Sequence, residues 1–350
     1  MSLRDVLGIE HPIVLGPFGG LSSIELTAAV SSAGGLGSYG LYGYAPERIR
    51  ETVAALRAAT DRPFAVNLWL PTGDEVAPDA VDLTAAAAAV QPLFDELGVP
   101  IPDVPARFLP PVEDQLAAVL DAAPAVLSVV YGVPSPELVE AAHARGIRIT
   151  GTVTTVAEAR AMDAAGVDAI VASGAEAAGH RVSFLAPAEQ SLIGTFALVP
   201  QVVDAVAVPV IAAGGIADRR GVAAAFALGA AGVQVGTAFL RTRQSAAPEA
   251  HRQAIAAADD TTTRLTRAMS GRLSRGIPNT AVRTIEAAGA IAAFPAQNWL
   301  TGRFRAEAGP RNLGEFLSLW AGQSAPLATR TEAADVFAEL RAGVPSDRMV

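Results

Sequence analysis

Residues 208–240 read VPVIAAGGIADRRGVAAAFALGAAGVQVGTAFL, two short apolar runs that each end in small residues, with an Ala-rich segment between them. Val210, Ile211, Ala212 and Ala213 make a buried-strand pattern that stops at Gly214-Gly215, where the lack of side chains lets a ligand reach backbone amides. Asp218 suits the N-cap of a helix continuing through Val222–Leu228, and Gly229 suits its C-cap. A second strand, Val233-Gln234-Val235, then ends at Gly236-Thr237. In (β/α)8 barrels the loops after the seventh and eighth strands commonly form a phosphate site at the C-terminal face. The pair therefore predicts an α/β TIM barrel that holds a phosphorylated cofactor or substrate. Two tight turns that merely pack a helix on a sheet would need no ligand.

Outward from this pair, strand-like runs alternate with Ala-rich helical patterns at the spacing of βα units. Pro12–Gly16, Leu36–Leu41, Phe64–Leu70, Val126–Gly132, Arg148–Val153, Ala169–Gly174, Val208–Gly215 and Val233–Phe239 are eight candidate strands, the count a barrel requires. Helical patterns cover Ser23–Ala33, Pro46–Ala59, Pro136–Arg145, Thr155–Ala165 and Gly194–Val206, with Ser23 and Thr155 as further caps. A doubly wound dinucleotide fold would alternate in the same way, but no GxGxxG follows the first strand. The barrel is thus expected over 1–240. Residues 71–111, rich in Pro and Gly around an Ala-rich segment, follow the third strand and read as a lid-like excursion over the C-terminal face. After Leu240 the strand pattern stops. Glu249–Ala258, Leu313–Trp320 and Glu332–Ala342 read as amphipathic helices of a mainly helical region, 241–350, packed on the barrel.

What the composition omits narrows the chemistry. With 350 residues, 51% of them hydrophobic and 17% charged, the chain can bury a large core and fits a globular enzyme. Cys is absent, which excludes disulfides, iron–sulfur clusters, thiolate zinc sites and cysteine nucleophiles. All 26 basic residues are Arg, and without a lysine amine there is no Schiff-base aldolase or pyridoxal enzyme. A net charge of −9 with no basic cluster argues against nucleic acid as a partner. No apolar run has the length and purity of a membrane span, and MSLRDVLGIE lacks the pattern of a signal peptide, so a cytoplasmic enzyme with a small-molecule substrate is expected.

A family resemblance runs nearly end to end. HPIVLGPFGG, VSSAGGLGSYG, FAVNLWLP, SGAEAAGHR, IAAGGI, QVGTAFL, SGRLSRGIPN and LSLWAGQ occur in that order, and together they resemble the nitronate monooxygenases, formerly 2-nitropropane dioxygenases. These are FMN-dependent barrels related to a flavin-dependent enoyl-acyl-carrier-protein reductase. The resemblance implies oxidation of alkyl nitronates, and of nitroalkanes, with O2 to a carbonyl compound and nitrite. It implies FMN phosphate at Gly214, Gly215, Gly236 and Thr237, with Gln234 and Val235 in the same motif. It also places Asn67 at the flavin ring edge and Ser173, Ala178 and Gly179 along the ring.

His180 is the expected catalytic base. Among His11, His143, His180 and His251 it alone follows a small-residue loop at the mouth of a predicted barrel strand, and an imidazole there can take the carbon-bound proton of a nitroalkane or steady a nitronate. His11 precedes the first strand, His143 reads as a surface residue and His251 falls in the C-terminal region; Glu176 is a weaker candidate, orienting or on the surface. The chain departs from the family pattern at Phe18, Val130, Ser173, Ala178 and Val182, four of which are expected to line the pocket. Those departures keep two alternatives open: an FMN-dependent enoyl or quinone reductase driven by NAD(P)H, and a non-catalytic barrel that binds a phosphorylated ligand.

Overall fold

The computed structural model describes residues 2–348. Eight parallel strands form the barrel: β1 (Ile13–Leu15), β2 (Gly37–Gly40), β3 (Phe64–Trp69), β4 (Val126–Val130), β5 (Arg148–Val153), β6 (Ala169–Ser173), then, after a two-residue strand β7 (Gly179–His180) outside it, β8 (Val210–Ala213) and β9 (Gly232–Val235). The order around the sheet is β1-β9-β8-β6-β5-β4-β3-β2. Bonds from Leu36 N to Ile13 O and from Leu15 N to Leu36 O, both 2.9 Å, join its two ends. The barrel strands are buried along nearly their whole length, which is why they read as apolar runs rather than alternating ones.

The barrel interior is packed and one end is plugged. Val14, Leu36, Ala65, Val126, Ala169, Val171, Ile211 and Ala213 form one cluster with Leu3, Val6, Leu7 and Ile9 from the N-terminal segment. The short helix Leu3–Leu7 that carries three of these is held by a reciprocal cap between Ser2 and Asp5. With the N-terminal mouth filled, the C-terminal mouth is the end left to build a site.

Most helices begin where their caps predicted. Ser23, Thr155 and Asp218 accept from backbone amides of Leu26, Glu158 and Gly221, and the helices run Ile24–Ser32, Val156–Ala164 and Arg219–Ala227. Four expectations are corrected. The strand expected to reach Phe239 stops at Val235, because Gly236 turns the chain into a short helix, Thr237–Leu240. The C-cap after Ala227 is Leu228, and Gly229 follows it at φ +94°. Leu313–Trp320 is no helix: only Gly314–Phe316 makes a 3-10 turn, and the bulky apolar residues that mimic helical spacing instead fill a second core with the helices Thr84–Leu97 and Ala296–Ala308. Strands also occur beyond Leu240, as β10 (Arg264–Thr266) and β11 (Ser274–Gly276), three residues each and hence too short to show a period.

These strands position the site. β10, β11 and β7 form a three-stranded antiparallel sheet in which Ser274 pairs with His180 and Arg275 with Gly179. The segment after β6 is therefore drawn out over the barrel mouth by the C-terminal region, and Arg181 N extends the attachment by donating to Leu273 O at 2.8 Å.

Candidate active site

The C-terminal mouth opens into a cavity of about 370 Å3, within the range of small-molecule sites. Its floor is the ends of the strands. Asn67 comes from β3, Ser173 from β6, Gly214 and Gly215 follow β8, Gln234 lies in β9, and Gly236 and Thr237 follow it. Gly214 and Gly215 sit at φ +102° and +73°, a backbone that side chains resist, and a Cβ at Gly214 would stand 2.9 Å from Thr195 Oγ1. The turn thus needs glycine for its own shape, and the same absence of side chains leaves main chain facing the cavity.

Ten of the eleven residues expected in the site line this cavity: Asn67, Ser173, Ala178, Gly179, His180, Gly214, Gly215, Gln234, Gly236 and Thr237. Val235 is the exception. Its side chain is in the packed core, and only its carbonyl reaches toward the mouth, accepting from Gly16 N at 2.8 Å. All five departures from the family pattern, Phe18, Val130, Ser173, Ala178 and Val182, line the cavity, one more than expected. Asn67 also differs in detail: its amide Nδ2 donates to Ser128 O at 3.1 Å and to Ser128 Oγ at 3.2 Å, so the side chain offers the cavity an acceptor, Oδ1. Asn67→Ala is expected to alter the absorbance spectrum or reduction potential of a ring bound there while weakening binding little, since one neutral hydrogen bond contributes only about 0.5–1.5 kcal/mol. A spectrum and potential equal to the parent's would remove Asn67 from the site.

The surroundings of Ser270 favour one tautomer of His180. Ser270 Oγ lies 3.1 Å from Arg272 O and 2.8 Å from His180 Nε2, and a hydroxyl that donates to the carbonyl accepts from the imidazole. Nε2 then carries the imidazole proton, and Nδ1 is a lone pair on a ring that lines the cavity. The ring is wedged between Trp69 and Trp320, with centroids 4.9 and 5.3 Å away. Burial between these rings, reinforced by the Arg272 and Arg305 charges, pushes its pKa down to about 3. The sign matters for function: a depressed histidine pKa means that the free base persists throughout the neutral range.

Two guanidiniums face this neutral imidazole, and they differ in their partners. Arg272 is sandwiched between the Tyr131 and Phe294 rings, 4.3 and 4.0 Å from their centroids. It is compensated by Asp74 and by Glu75, the latter at 2.7 Å. Arg305 has only neutral partners: Asn298 O and Oδ1, Thr301 Oγ1 and Ser318 Oγ, at 2.7–3.2 Å. Its Nε is buried with no partner, and burial lowers its pKa to about 10, which leaves it charged at neutral pH. The Glu176 carboxylate also lines the cavity but is bonded to Thr195, so Arg305 brings to it a positive charge with no carboxylate partner among the described residues, a feature suited to an anion.

The remaining candidates have other roles. Both Glu176 oxygens accept from Thr195 N, at 3.0 and 2.9 Å, and Oε2 also accepts from Thr195 Oγ1, so Glu176 caps the helix Thr195–Val203. His11 packs on Phe337 away from the mouth, His143 pairs with Asp168 at 2.8 Å, and His251 is buried against Trp320 O. Sequence reasoning missed Ser270, Arg272, Arg305 and Trp320. SGRLSRG and LSLWAGQ were visible as motifs, but no local pattern says that segments about 90 and 140 residues after His180 return to it.

The comparisons with known proteins follow the same outline. The family model described as nitronate monooxygenase matches residues 1–343. A protein of Staphylococcus aureus strain Newman named "Probable nitronate monooxygenase" is 37% identical over 340 residues, 97% of this chain and 95% of that one. A protein of the same name from Staphylococcus saprophyticus is 36% identical over 322 residues, 91% and 90% of the two chains. Among solved structures, nitroalkane oxidase from Streptomyces ansochromogenes superposes with a TM-score of 0.88 at 34% identity, covering 98% of this chain and 97% of its own. FabK from Thermotoga maritima superposes at 0.75 and 29%, covering 97% and 94%.

Proposed function

Because the chain belongs to the nitronate monooxygenase family and is an oxidoreductase, we propose that it holds one FMN in the mouth of the barrel and oxidises alkyl nitronates with O2 to a carbonyl compound and nitrite. The observation that carries this reading is the neutral His180 beside an Arg305 that has no counter-ion among the described residues. A site of that charge favours an anionic substrate and keeps a proton acceptor ready for its neutral precursor.

The residues present fit the cofactor. Gly214, Gly215 and Gly236 leave main-chain groups open where a phosphate would rest, and Thr237 stands beside them. Ser173, Ala178 and Gly179 leave room for a flat ring, and Asn67 Oδ1 is placed to accept from its edge. Bound there, FMN supplies electron acceptance and reaction with O2. The chain supplies the rest. Arg305 draws in and orients the nitronate oxygens, the Trp69 and Trp320 rings exclude water, and His180 Nδ1 takes the α-proton when the substrate arrives as a nitroalkane.

Ser270 acts through His180 by holding the imidazole with Nδ1 unprotonated. Ser270→Ala is expected to lower kcat on nitroalkanes about three- to tenfold, the equivalent of one neutral hydrogen bond, with cofactor content and the KM for nitronates little changed. Ser270→Thr should restore it. Loss of bound cofactor in Ser270→Ala would make the role structural instead.

The function is tested by adding ethyl nitronate anaerobically to purified protein. Bleaching of visible absorbance, followed by nitrite release on admitting air, is expected. A second reading, reduction driven by NAD(P)H, draws on the likeness to FabK. Bleaching by NADPH but not by the nitronate would favour it, and a protein that stays colourless after incubation with FMN would favour the non-catalytic alternative.

A further inference from the structure

A second, larger cavity of about 980 Å3 lies beneath the excursion that follows β3. Its wall is formed by the end of β3, by parts of residues 71–112 and by Phe294-Pro295. The wall is mostly apolar, with Leu70, Val76, Val104, Phe108 and Leu109 among its side chains. Its inner polar groups are engaged with the protein itself: Arg272 with Asp74 and Glu75, and Gln115 Nε2 with Tyr44 O at 2.8 Å. Asp79 and Arg107 are exposed to solvent. A wall whose inner polar atoms are already satisfied has little to offer a charged ligand. It gains from taking apolar surface out of water.

Position supplies the use. Tyr42 and Trp69 line both this cavity and the one at the barrel mouth, and their ring centroids are only 4.3 Å apart, so the pair forms the partition between the two spaces. The Trp69 ring also packs against His180. A substituent that extends from a carbon beside His180 and passes this pair arrives in the apolar cavity.

We propose that the cavity beneath residues 71–112 is a subsite for an uncharged apolar tail on the substrate, so that the enzyme works on nitronates with long alkyl or arylalkyl substituents rather than on the smallest ones. The proposal rests on the nitronate reading of the neighbouring site. Tyr42 and Trp69 are then specificity-determining residues.

Two measurements test it. The first is kcat/KM for unbranched primary nitronates of two to ten carbons. Each methylene buried in the tail site is expected to raise it about fourfold, the rate equivalent of the usual burial of one CH2, until the cavity is full. Ala106→Trp, which fills the cavity from an exposed wall position, should lower the ratio of the longest to the shortest nitronate at least tenfold. A ratio that stays flat with chain length, or that the Trp leaves unchanged, overturns the proposal.

The second measurement needs no turnover. 10-Bromodecan-1-ol should quench indole emission saturably, with the quenching lost in Trp69→Phe, whereas 2-bromoethanol at the same concentration should not quench. Absence of quenching overturns the subsite even if nitronates are turned over. Quenching without turnover of any nitronate overturns the nitronate reading and the tailed nitronate with it, while the apolar character of the cavity stands, so the two failures are distinguishable.

Discussion

His180→Asn is expected to lower kcat/KM for neutral nitroalkanes by roughly 100- to 10,000-fold, the usual contribution of a general base, and to leave most of the activity on pre-formed nitronates. The contrast follows from the tautomer. Asn matches the near half of the imidazole in size and polarity, but its amide stops short of Ser270 and it has no basic lone pair where Nδ1 stood. Nitronates have already lost the proton in question and, on the proposed reading, need only the Arg305 charge and the aromatic walls. The pH dependence has a definite sign. With its pKa held near 3, the free enzyme keeps His180 neutral from pH 5 upward, so kcat/KM on nitronates should show no inflection from this group near pH 6.5. An anion bound beside Arg305 offsets part of the repulsion that depresses the imidazole and strengthens it as a base when substrate is present. Equal losses on the two substrate forms would reassign His180 to anion binding, and no loss on either would leave it a structural residue.

Gly236→Val is expected to yield a folded, colourless protein. At φ −110° a side chain meets none of the left-handed strain of Gly214 and Gly215, and apart from its chain neighbours the one atom that an added Cβ meets within 4 Å is Phe18 Cε1, at 3.6 Å. Since Phe18 and Gly236 both line the mouth cavity, the isopropyl group occupies cofactor space at little cost to the fold. Gly215→Val should also lose the cofactor but is the harsher probe: at φ +73° a valine is strained by roughly 1–2 kcal/mol, so a lower melting temperature accompanies the loss of colour. Full cofactor occupancy in Gly236→Val would place the phosphate elsewhere.

The barrel was legible because its signals are local. A strand buried on both faces writes itself as an apolar run, and a phosphate turn writes itself as glycines at the end of that run, so the eight strands and the Gly214, Gly215 and Gly236 positions could be read directly. His180 could be singled out by its place in the chain, but not its setting. That depends on β11, three residues long, and on Ser270 and Arg305, whose importance comes only from folding back over the mouth. The helix wrongly expected at Leu313–Trp320 failed for a related reason. Its apolar residues answer to neighbours in the second core rather than to a helical face of their own. Asn67 shows the limit at finer scale: residue type and position placed it in the cavity, whereas the orientation that commits its Nδ2 to Ser128 depends on the neighbouring strand.

The segment Ala321–Ser324 ties the two sides of the mouth together, since Gly322 N donates to Thr237 Oγ1 and Gln323 N to Glu176 O, both at 3.0 Å. Thr237 sits beside the proposed phosphate turn and Glu176 in the loop after β6, so the pocket acquires its final wall from residues made more than 80 positions after the last barrel strand. During synthesis the barrel can fold as those strands emerge, but at that stage its mouth lacks Trp320 and Gly322. Capture of the proposed cofactor is therefore expected to wait until residues 320–324 have folded onto the mouth. A shortage of cofactor during expression should then leave a colourless protein with an intact barrel that can be loaded afterwards, rather than a misfolded chain.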